Sequence, residues 1–557
     1  MTTSPLLVNF SGLRVHRTPL EILRGGGGYR PIVLIFALLF IILMAFVIPV
    51  PGGLIDLVEK ENPPGYSTEG GTTNIVDSVN YHEDKAAFNE WQEAGSPADD
   101  RGGMKDAEAV GRQAMIMVAI LLVAALLWGT EGLPIGGTVI LVAVLMYAFE
   151  ILSPNEITKA FMKDAVFFIF GILAVAVGVA KTGLDKRIGL LLLSRIKSAL
   201  MFALIFFPVL AVLAGFLSEH ALVALLCPVL MGVYKATCMA HGVKQDKALA
   251  IFLLLGLTFA ANVGGPGSPA AGGRNAIMVG YFGDAGVPIS FMEWVQYGLP
   301  LVPALALTVG IFMYVMLRRK FKVKNVNPSE IVRREVSKLP KFGGKEAIMA
   351  VILVCLITMW ILSDEETTGL GGATIMAVFA MVVTRIIGWE DIQRGVAFDV
   401  VGLYAAACAM GVGLAFTGGA LWLANEFVAA LPGFMSEGNG LVVGVSILTS
   451  VMTNFMSDGA TVGALGPIVI PMAELGDVAV WKVGLICSFA SSFAMCMIVG
   501  TPNNAIVFSM SRDPETGKRL ISVFDFIKYG LPLMLLLLVV MWGWAVFGYW
   551  SFVVWLC

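Results

Sequence analysis

The stretch "TNFMSDGATVGALGPIVIPM", residues 453–472, decides the fold because it places a carboxylate inside an otherwise apolar segment. Asp458 stands between Ser457 and Gly459, and the segment 440–475 around them is long enough for two helices but contains no solvated loop. Non-helical backbone at membrane depth persists only where protein or a water-filled cavity covers it. We therefore predict a re-entrant hairpin with Asp458 at its tip.

The chain as a whole is too apolar for a soluble protein of its size. Of its 557 residues, 57% are hydrophobic and 14% are charged, and the mean hydropathy is +0.84. Apolar runs recur from position 30 onward, with the length of about 20 residues that a helix needs to cross a bilayer. The composition predicts an all-α integral membrane protein in the lipid bilayer, and the net charge of −3 argues against a nucleic acid partner.

Redox, metal and enzyme chemistry find no support in the sequence. The seven cysteines stand singly in or beside apolar runs without CxxC spacing, which favours buried free thiols over disulfides or metal ligands. No HExxH motif, His-rich cluster or nucleophile–base pattern occurs. We expect no enzyme activity, no cofactor and no metal beyond a possible sodium ion.

Eleven apolar runs are predicted to be membrane-spanning helices (spans), and two longer runs are predicted to be hairpins. The spans lie near 30–50, 113–130, 134–152, 165–182, 246–263, 297–317, 346–363, 370–388, 398–418, 481–499 and 528–552. The second hairpin candidate, 200–236, is interrupted at Ser218-Glu219-His220 in the way that 440–475 is interrupted at Ser457-Asp458-Gly459. The predicted count is therefore about 11 transmembrane helices plus two re-entrant hairpins.

Charge bias orients these elements, since short cytoplasmic loops collect Lys and Arg. The arginine-containing residues 1–29 are predicted to be cytoplasmic, the acidic segment 51–112 extracytoplasmic, and the basic connector 321–345 cytoplasmic. The count of spans then places the C-terminus outside. We expect a multi-pass protein of a bacterial inner membrane.

The two halves of the chain share a sequence repeat. "VGVAKTG" (177–183) recurs as "VGLAFTG" (412–418), "RNAI" (274–277) as "NNAI" (503–506), and "YGLP" at 297–300 as the same letters at 529–532. The order is the same in both copies, and each contains one interrupted hairpin. We assign repeat 1 to 113–320, with its hairpin at 200–236 and a broken helix at 246–285, and repeat 2 to 346–557, with its hairpin at 440–475 and a broken helix at 481–510.

The repeats should have opposite orientations in the membrane, because repeat 1 contains an odd number of spans. Inverted repeats are the architecture of many secondary transporters, whose binding sites form near the midplane from interrupted helices. The broken-helix segments "AANVGGPGSPAAGGRNAI" (260–277) and "MIVGTPNNAIVFS" (497–509) contain Gly and Pro that free backbone carbonyls for a cation and helix N-termini for an anion. A transporter is therefore favoured over a channel.

These motifs resemble the divalent anion:sodium symporter family of the ion transporter superfamily, whose members carry dicarboxylates, citrate and sulfate. The resemblance covers about residues 110–557 and is closest at "TNFMSDGATVGALGPIVIPMA" and "GTPNNAIVFS". Family members have two hairpins tipped by Ser-Asn-Thr, each followed by a broken helix that ends in a Gly-Thr-Pro-Pro-Asn-like turn. The resemblance implies an elevator-type homodimer with a scaffold domain and a transport domain.

The resemblance also implies which residues form the site. Substrate-binding positions are expected at Ser218, Glu219, His220, Pro266, Arg274, Asn275, Ser457, Asp458, Gly459, Thr501, Pro502 and Asn503. Cation-binding positions are expected at Thr453, Ser457, Asp458, Gly500, Asn504, Ser218 and Gly265. In the family the hairpin tips and the turns of the broken helices build two sodium sites, and tip Asn and Thr residues contact the substrate.

This chain departs from that pattern at the tips themselves. Glu219 and Asp458 stand at the two Asn positions, and Arg274 stands in the first turn, where the family has Thr-Pro-Pro. Two ionised carboxylates near a bound dianion repel it strongly unless each is paired or protonated. We hypothesise that Arg274 pairs with Glu219 in place of the first sodium. Asp458, which has only Asn503 at the position matching Arg274, is then expected to keep a sodium or proton site.

The sequence leaves two main interpretations of function. The first is a secondary active transporter of a small anion, a di- or tricarboxylate or an inorganic oxyanion, coupled to sodium or protons or working as an exchanger. The alternative is a cation/proton antiporter that uses Glu219 and Asp458, since intramembrane acids serve as proton relays. Arg274 separates the two, because a fixed positive charge opposes a cation site unless Glu219 cancels it.

Overall fold

A computed structural model describes residues 29–59, 107–323, 341–362, 369–512 and 519–553, with positions 332, 336, 337 and 339 between the second and third ranges. The described residues are helical apart from short connections and one isolated bridge between Arg512 and Arg519. The all-α class predicted from the composition is confirmed.

The helices of the first half alternate between long apolar elements and short connecting ones. Their bounds are Pro31–Phe46, Gly52–Glu59, Ala107–Thr130, Ile135–Ala148, Pro154–Phe161, Asp164–Thr182, Leu184–Ser194, Ala199–Ala214, Glu219–Ala240, Lys247–Asn262, Gly273–Asp284, Phe291–Gly298 and Leu301–Leu317. The element Ala199–Ala214 contains a π-helical turn at Phe202–Phe206.

The second half repeats this order. Its helices are Gly344–Leu362, Gly369–Val383, Trp389–Gly395, Phe398–Thr417, Gly419–Ala430, Gly438–Phe455, Asp458–Leu475, Val480–Ala490, Pro502–Met510 and Val523–Met541, which continues as a π-helical turn Trp542–Tyr549 and a last helix Trp550–Val553. The matched glycines of the "TG" motifs, Gly183 and Gly418, both end a helix in the left-handed region, at φ 77° and 78°, a conformation that glycine adopts without strain. The sequence repeat therefore corresponds to a repeat of helices.

Nine helices of the described ranges are long and apolar enough to cross a membrane. Seven of them coincide with predicted spans, and two, Glu219–Ala240 and Gly438–Phe455, are arms of the predicted hairpins. The other four predicted spans are shorter apolar helices, at Pro31–Phe46, Ile135–Ala148, Gly369–Val383 and Val480–Ala490. Every predicted span thus contains a helix, although the helix in the predicted span 481–499 ends at Ala490. The number of helices that cross the bilayer stays a prediction.

Both predicted hairpins are present as pairs of helices with a serine at the turn. Hairpin 1 consists of Ala199–Ala214 and Glu219–Ala240, and hairpin 2 of Gly438–Phe455 and Asp458–Leu475. Ser218 Oγ accepts from the amide of the third following residue (3.4 Å), and Ser457 Oγ does the same (3.2 Å). Such N-caps satisfy orphan amides of a helix start, which explains why a serine stands at each tip.

Both predicted broken helices are present as two helical arms joined by non-helical backbone. Break 1 is residues 263–272, between Lys247–Asn262 and Gly273–Asp284, and it contains the 3₁₀ turns Gly265–Gly267 and Pro269–Ala271. Break 2 is residues 491–501, between Val480–Ala490 and Pro502–Met510. Glycine and proline interrupt the helical hydrogen bonding in break 1, whereas in break 2 Gly500 and Pro502 stand only at the end, where the second arm begins.

The hairpins and broken helices pack crosswise between the halves. The second arm of hairpin 2, Asp458–Leu475, lies against Gly273–Asp284 of the first half, and the second arm of hairpin 1, Glu219–Ala240, lies against Pro502–Met510 of the second half. The helix Lys247–Asn262 is almost wholly buried beside them. Both tips and both breaks are thereby brought to the centre of the molecule.

Some predictions were incomplete or fall outside the described ranges. The structure adds short helices that the apolar pattern did not indicate, including Pro154–Phe161, Phe291–Gly298 and Trp389–Gly395. The predicted loop 51–112 begins with the helix Gly52–Glu59 and ends within Ala107–Thr130. Its residues 60–106, the N-terminal residues 1–28 and most of the connector 321–345 lie outside the described residues.

Candidate functional site

A buried ion triad joins the two hairpin tips. The guanidinium of Arg274 donates from Nη1 to Glu219 Oε1 (3.1 Å) and from Nη2 to Glu219 Oε2 (3.4 Å), and Nη1 also donates to Asp458 Oδ2. The exposed fractions are 1% for Glu219, 2% for Arg274 and 8% for Asp458. We call these three residues the triad.

The triad agrees with one part of the sequence hypothesis and corrects another. The pair between Arg274 and Glu219 is present as predicted. The expectation that Asp458 has no basic partner is wrong, because the same guanidinium binds it. In the repeat that contains Asp458, the position matching Arg274 is Asn503, so no base was expected there. The crosswise packing instead places hairpin 2 against the helix that begins at Gly273.

Helix ends account for the position of both acids. Glu219 and Asp458 are the first residues of their helices, and Arg274 is the second residue of Gly273–Asp284. A helix N-terminus carries about half a positive charge, which stabilises a carboxylate there and destabilises a guanidinium. Arg274 therefore needs the two carboxylates that surround it, and each carboxylate is stabilised both by its own helix and by Arg274.

Each break is held by one asparagine in the same way. In break 1, Asn275 Nδ2 donates to the carbonyls of Gly265 (2.8 Å) and Ser268 (2.7 Å), and its Oδ1 accepts from Ser488 of the other half (2.6 Å). The fixed carbonyls are those that the missing helical turns leave unpaired. We call this arrangement the asparagine clamp of break 1.

The asparagine clamp of break 2 repeats this pattern. Asn504 Nδ2 donates to the carbonyls of Ala494 (2.7 Å) and Met497 (2.8 Å), and its Oδ1 accepts from Thr258 of the first half (2.8 Å). Both clamp residues thus use their whole amide group within the protein. We expected Asn275 to bind substrate and Asn504 to bind a cation, but in this structure each holds the backbone.

Four buried polar atoms, at Arg274 and in or beside the breaks, lack a partner among the residues that the structure describes. They are Arg274 Nε, Asn262 Nδ2, Ser492 Oγ and Thr501 Oγ1. Asn262 ends the first arm of broken helix 1, while Ser492 and Thr501 lie in break 2. Buried polar groups are normally hydrogen-bonded, so these four atoms are candidate contacts for a ligand.

His220 extends the tip of hairpin 1 toward break 2. Its Nδ1 donates to Asn503 Oδ1 (2.8 Å), and Asn503 Nδ2 donates to Asn262 Oδ1 (2.8 Å). The imidazole lies 3.9 Å from Glu219 Oε1, and 39% of its side chain is exposed. The expected site residues His220 and Asn503 therefore lie together, with one face of the imidazole open.

The two hairpin tips border cavities of unequal size. At the tip of hairpin 2 a cavity of about 430 Å³ is lined by Ser457, Thr501, Pro502, Trp128, Glu131 and Phe455, among others. At the tip of hairpin 1 a cavity of about 80 Å³ is lined by Ser218, Asp185, Ala270 and Trp360, among others. The expected substrate residues Ser457, Thr501 and Pro502 thus lie on the wall of the larger cavity.

The remaining expected residues lie around the triad in protein contacts. The Pro266 carbonyl accepts from Trp294 Nε1 (3.1 Å), and the Gly459 amide donates to Asp458 Oδ1 (2.7 Å). Thr453 Oγ1 donates to the Ser491 carbonyl (2.7 Å). Gly500 packs against the carbonyl of Thr453 so closely that a Cβ there would lie 2.7 Å from its oxygen.

Sequence analysis missed several residues of this centre. Tyr404 packs over Gly273 and Gly459, where added Cβ atoms would meet its ring. Asn262 and Ser492 have the unpartnered atoms described above, and Trp128 lines the larger cavity. The only sequence signal was a polar or aromatic side chain within an apolar run, and that signal is shared by many residues that only pack.

Comparison with known proteins gives a family match over most of the chain. Residues 105–556 match the family model described as the sodium:sulfate symporter transmembrane region. An uncharacterized transporter of Haemophilus influenzae is 26% identical over 448 residues, which cover 78% of this chain and 90% of that protein. The sodium-dependent dicarboxylate transporter SdcS of Staphylococcus saprophyticus is 25% identical over 454 residues, covering 76% and 84%.

Among solved structures, MtrF of Neisseria gonorrhoeae, described as illuminating a class of antimetabolite efflux pumps, aligns with a TM-score of 0.51 at 15% identity. The alignment covers 79% of this chain and 95% of that one. At this level of identity the similarity concerns the fold alone.

Proposed function

This chain belongs to the sodium:sulfate symporter family, and on that premise we propose that it is a secondary transporter whose cargo is a small anion bound between the two hairpin tips. The chemical class we assign is a di- or tricarboxylate or an inorganic oxyanion. Transport is coupled to sodium or protons, or proceeds by exchange of anions. A curated relative from Staphylococcus saprophyticus is named a sodium-dependent dicarboxylate transporter, which supports the dicarboxylate.

The observation that carries the proposal is a set of buried polar atoms without partners, at Arg274 and in or beside the two breaks. Arg274 Nε, Asn262 Nδ2, Ser492 Oγ and Thr501 Oγ1 are buried without acceptors among the described residues. A carboxylate or oxyanion supplies several acceptor oxygens at once, and hydrogen bonds to a charged group are stronger than neutral ones. The N-terminus of Pro502–Met510 lies on the wall of the larger cavity and adds the partial positive charge of a helix start.

The antiporter alternative is disfavoured by the same geometry. It requires Glu219 and Asp458 to be available to a transported cation, but both carboxylates bind one guanidinium. Arg274 already lies between the two carboxylates, where a transported cation would have to bind. The triad therefore disfavours cation exchange at these two acids.

The unequal cavities support an alternating-access cycle of the elevator type. The larger cavity lies between the tip of hairpin 2 and the end of the helix Ala107–Thr130, and the smaller lies between the tip of hairpin 1 and the end of Gly344–Leu362. In our predicted orientation the first of these ends is cytoplasmic and the second extracytoplasmic. We assign the structure to an inward-facing state of a homodimer in which hairpins and breaks move as one unit.

Transport by the purified protein in liposomes tests the proposal. We expect uptake of one or more of succinate, citrate and sulfate, measured with radiolabelled anions, and competition among those that bind. Thr501→Val removes one unpartnered hydroxyl and is expected to raise KM about tenfold or more, from the loss of a hydrogen bond to a charged group worth about 1.5–3 kcal/mol.

The matched control is Thr308→Val. Thr308 donates to Ala304 of its own helix at 2.8 Å, away from the triad, so its KM should stay that of the wild type. Proton efflux driven by a sodium or lithium gradient, with no uptake of any of the three anions, would contradict the proposal in favour of the antiporter.

A further inference from the structure

The triad bears on the coupling ion, which the proposed function leaves open. We infer that the guanidinium of Arg274 takes the place of the coupling cation at the hairpin tips, so that this chain binds and carries its anion without sodium. The inference rests on the proposed function, but sodium binding can be measured separately from anion transport.

The first support is that one side chain binds the carboxylates of both tips. Nη1 of Arg274 is shared between Glu219 and Asp458, and Nη2 completes a two-point contact with Glu219. A sodium ion at either tip would have to bind to a carboxylate that already has a covalently tethered counter-ion. Because all three residues are buried, solvent provides little screening of the resulting repulsion.

The second support is steric, and it lies at break 1. The guanidinium packs directly on Gly265, where an added Cβ would lie 2.9 Å from Arg274 Cζ and closer still to Nη2. Gly265 is one of the positions at which we expected a cation ligand. Only a residue without a side chain leaves room there, and the arginine fills that room.

The third support is that four backbone carbonyls of the two breaks already accept hydrogen bonds from side chains. Unwound backbone carbonyls are the usual sodium ligands of broken helices. The carbonyls of Gly265 and Ser268 accept from Asn275, and those of Ala494 and Met497 accept from Asn504. The side chains of the site are therefore arranged to hydrogen-bond the protein's own backbone and not to coordinate sodium.

The repulsion between Arg274 and a sodium ion is large. At an effective dielectric constant of about 20, a unit positive charge about 4 Å away weakens sodium binding by a factor of about a thousand. This offsets the attraction of one of the two carboxylates, so sodium at the tips gains from the triad only what a single carboxylate gives. A tethered guanidinium, unlike sodium, does not leave with the substrate, so a sodium gradient has no ion to act through at these tips.

The test titrates the purified protein with NaCl against choline chloride at constant ionic strength and measures thermal unfolding. Wild type is expected to show no sodium-specific shift. Arg274→Ala leaves two carboxylates facing a cation-sized space, and its unfolding temperature is expected to rise by several degrees with sodium and not with choline. The control Glu219→Gln/Arg274→Ala/Asp458→Asn, without these charges, is expected to show no sodium-specific shift.

A saturable sodium-specific shift in the wild type overturns the inference, whether or not Arg274→Ala folds. Anion uptake into liposomes gives the second measurement, with equal rates expected within about twofold in sodium and choline buffers. A tenfold or greater stimulation by sodium likewise overturns it. Absence of uptake in both buffers contradicts the proposed function instead, and the wild-type titration then still decides the question of sodium binding.

Discussion

Replacing Gly265 by alanine displaces the guanidinium without removing any charged or polar group. The new Cβ would lie 2.9 Å from Arg274 Cζ and would overlap Nη2 and Ser492 Oγ, whereas ordinary contacts begin at 3.4 Å. Arg274 cannot retreat freely, because it is 2% exposed and bound to two carboxylates. A shift large enough for the methyl group lengthens the 3.1 Å contact to Glu219 beyond the range of a hydrogen bond.

The expected cost is one charge-assisted hydrogen bond, about 1.5–3 kcal/mol. If the guanidinium must hold its position for the anion to bind, the apparent affinity falls about 10- to 150-fold, at about 1.4 kcal/mol for each factor of ten. The assay is the concentration dependence of anion uptake into liposomes, with protein amount and orientation matched. KM should rise while the protein remains folded and monodisperse.

Gly283→Ala is the matched control, because Gly283 lies on the arm Gly273–Asp284 that carries Arg274, and an added Cβ there meets nothing within 4 Å. Its KM should equal that of the wild type. A Gly265→Ala protein with wild-type KM and maximal rate would refute the role that we give to the position of Arg274. Equal loss in both variants would show that the effect comes from the helix and not from the guanidinium.

Three further predictions concern residues around the site and at the surface. Asn504→Ala leaves two backbone carbonyls and a hydroxyl unpaired and is expected to destabilise the protein by about 3 kcal/mol. The control Asn425→Ala removes one hydrogen bond within its own helix and should cost less than about 1 kcal/mol. Equal shifts of the unfolding temperature in the two variants would contradict the role of the asparagine clamp. His220→Phe is expected to raise KM for the anion with little change in the unfolding temperature, since the ring is partly exposed, and an unchanged KM excludes it from the site. The hydrogen bond from Lys181 lowers the pKa of Asp391 below its ordinary 3.8, so this exposed contact stabilises the protein at neutral pH and is lost as the pH falls below 3.8. Because exposed ion pairs contribute little, Lys181→Ala should lower the unfolding temperature only slightly, and only at pH values above 3.8.

The repeat made the centre of the fold predictable from the sequence. Interruptions at Ser218 and Ser457 located both hairpin tips, and the glycine-rich segments located both breaks, because serine caps and glycine leave strong local signals. The pair of Glu219 and Arg274 was predictable because both depart from the same family pattern within one repeat. Local signals and the repeat therefore predicted the hairpins, the broken helices and the contact between Glu219 and Arg274.

Contacts between the halves were not predictable in this way. The partner of Asp458 depends on how hairpin 2 packs against the first half, and no feature of its own repeat indicates that packing. Asn275 and Asn504 looked like ligands because they stand at a turn, but their amide groups are used by backbone carbonyls. The size of each cavity likewise depends on the arrangement of whole helices.

The triad also says something about ancestry. Arg274 and Glu219 come from the first half of the chain, and Asp458 comes from the second. A centre with one arginine and two carboxylates therefore forms only when two different halves meet. Two copies of the first half would bring two arginines and two glutamates to the centre, and two copies of the second would bring two aspartates with no base. A half-length protein acting as a symmetric pair could not form this site, which requires two halves of different sequence.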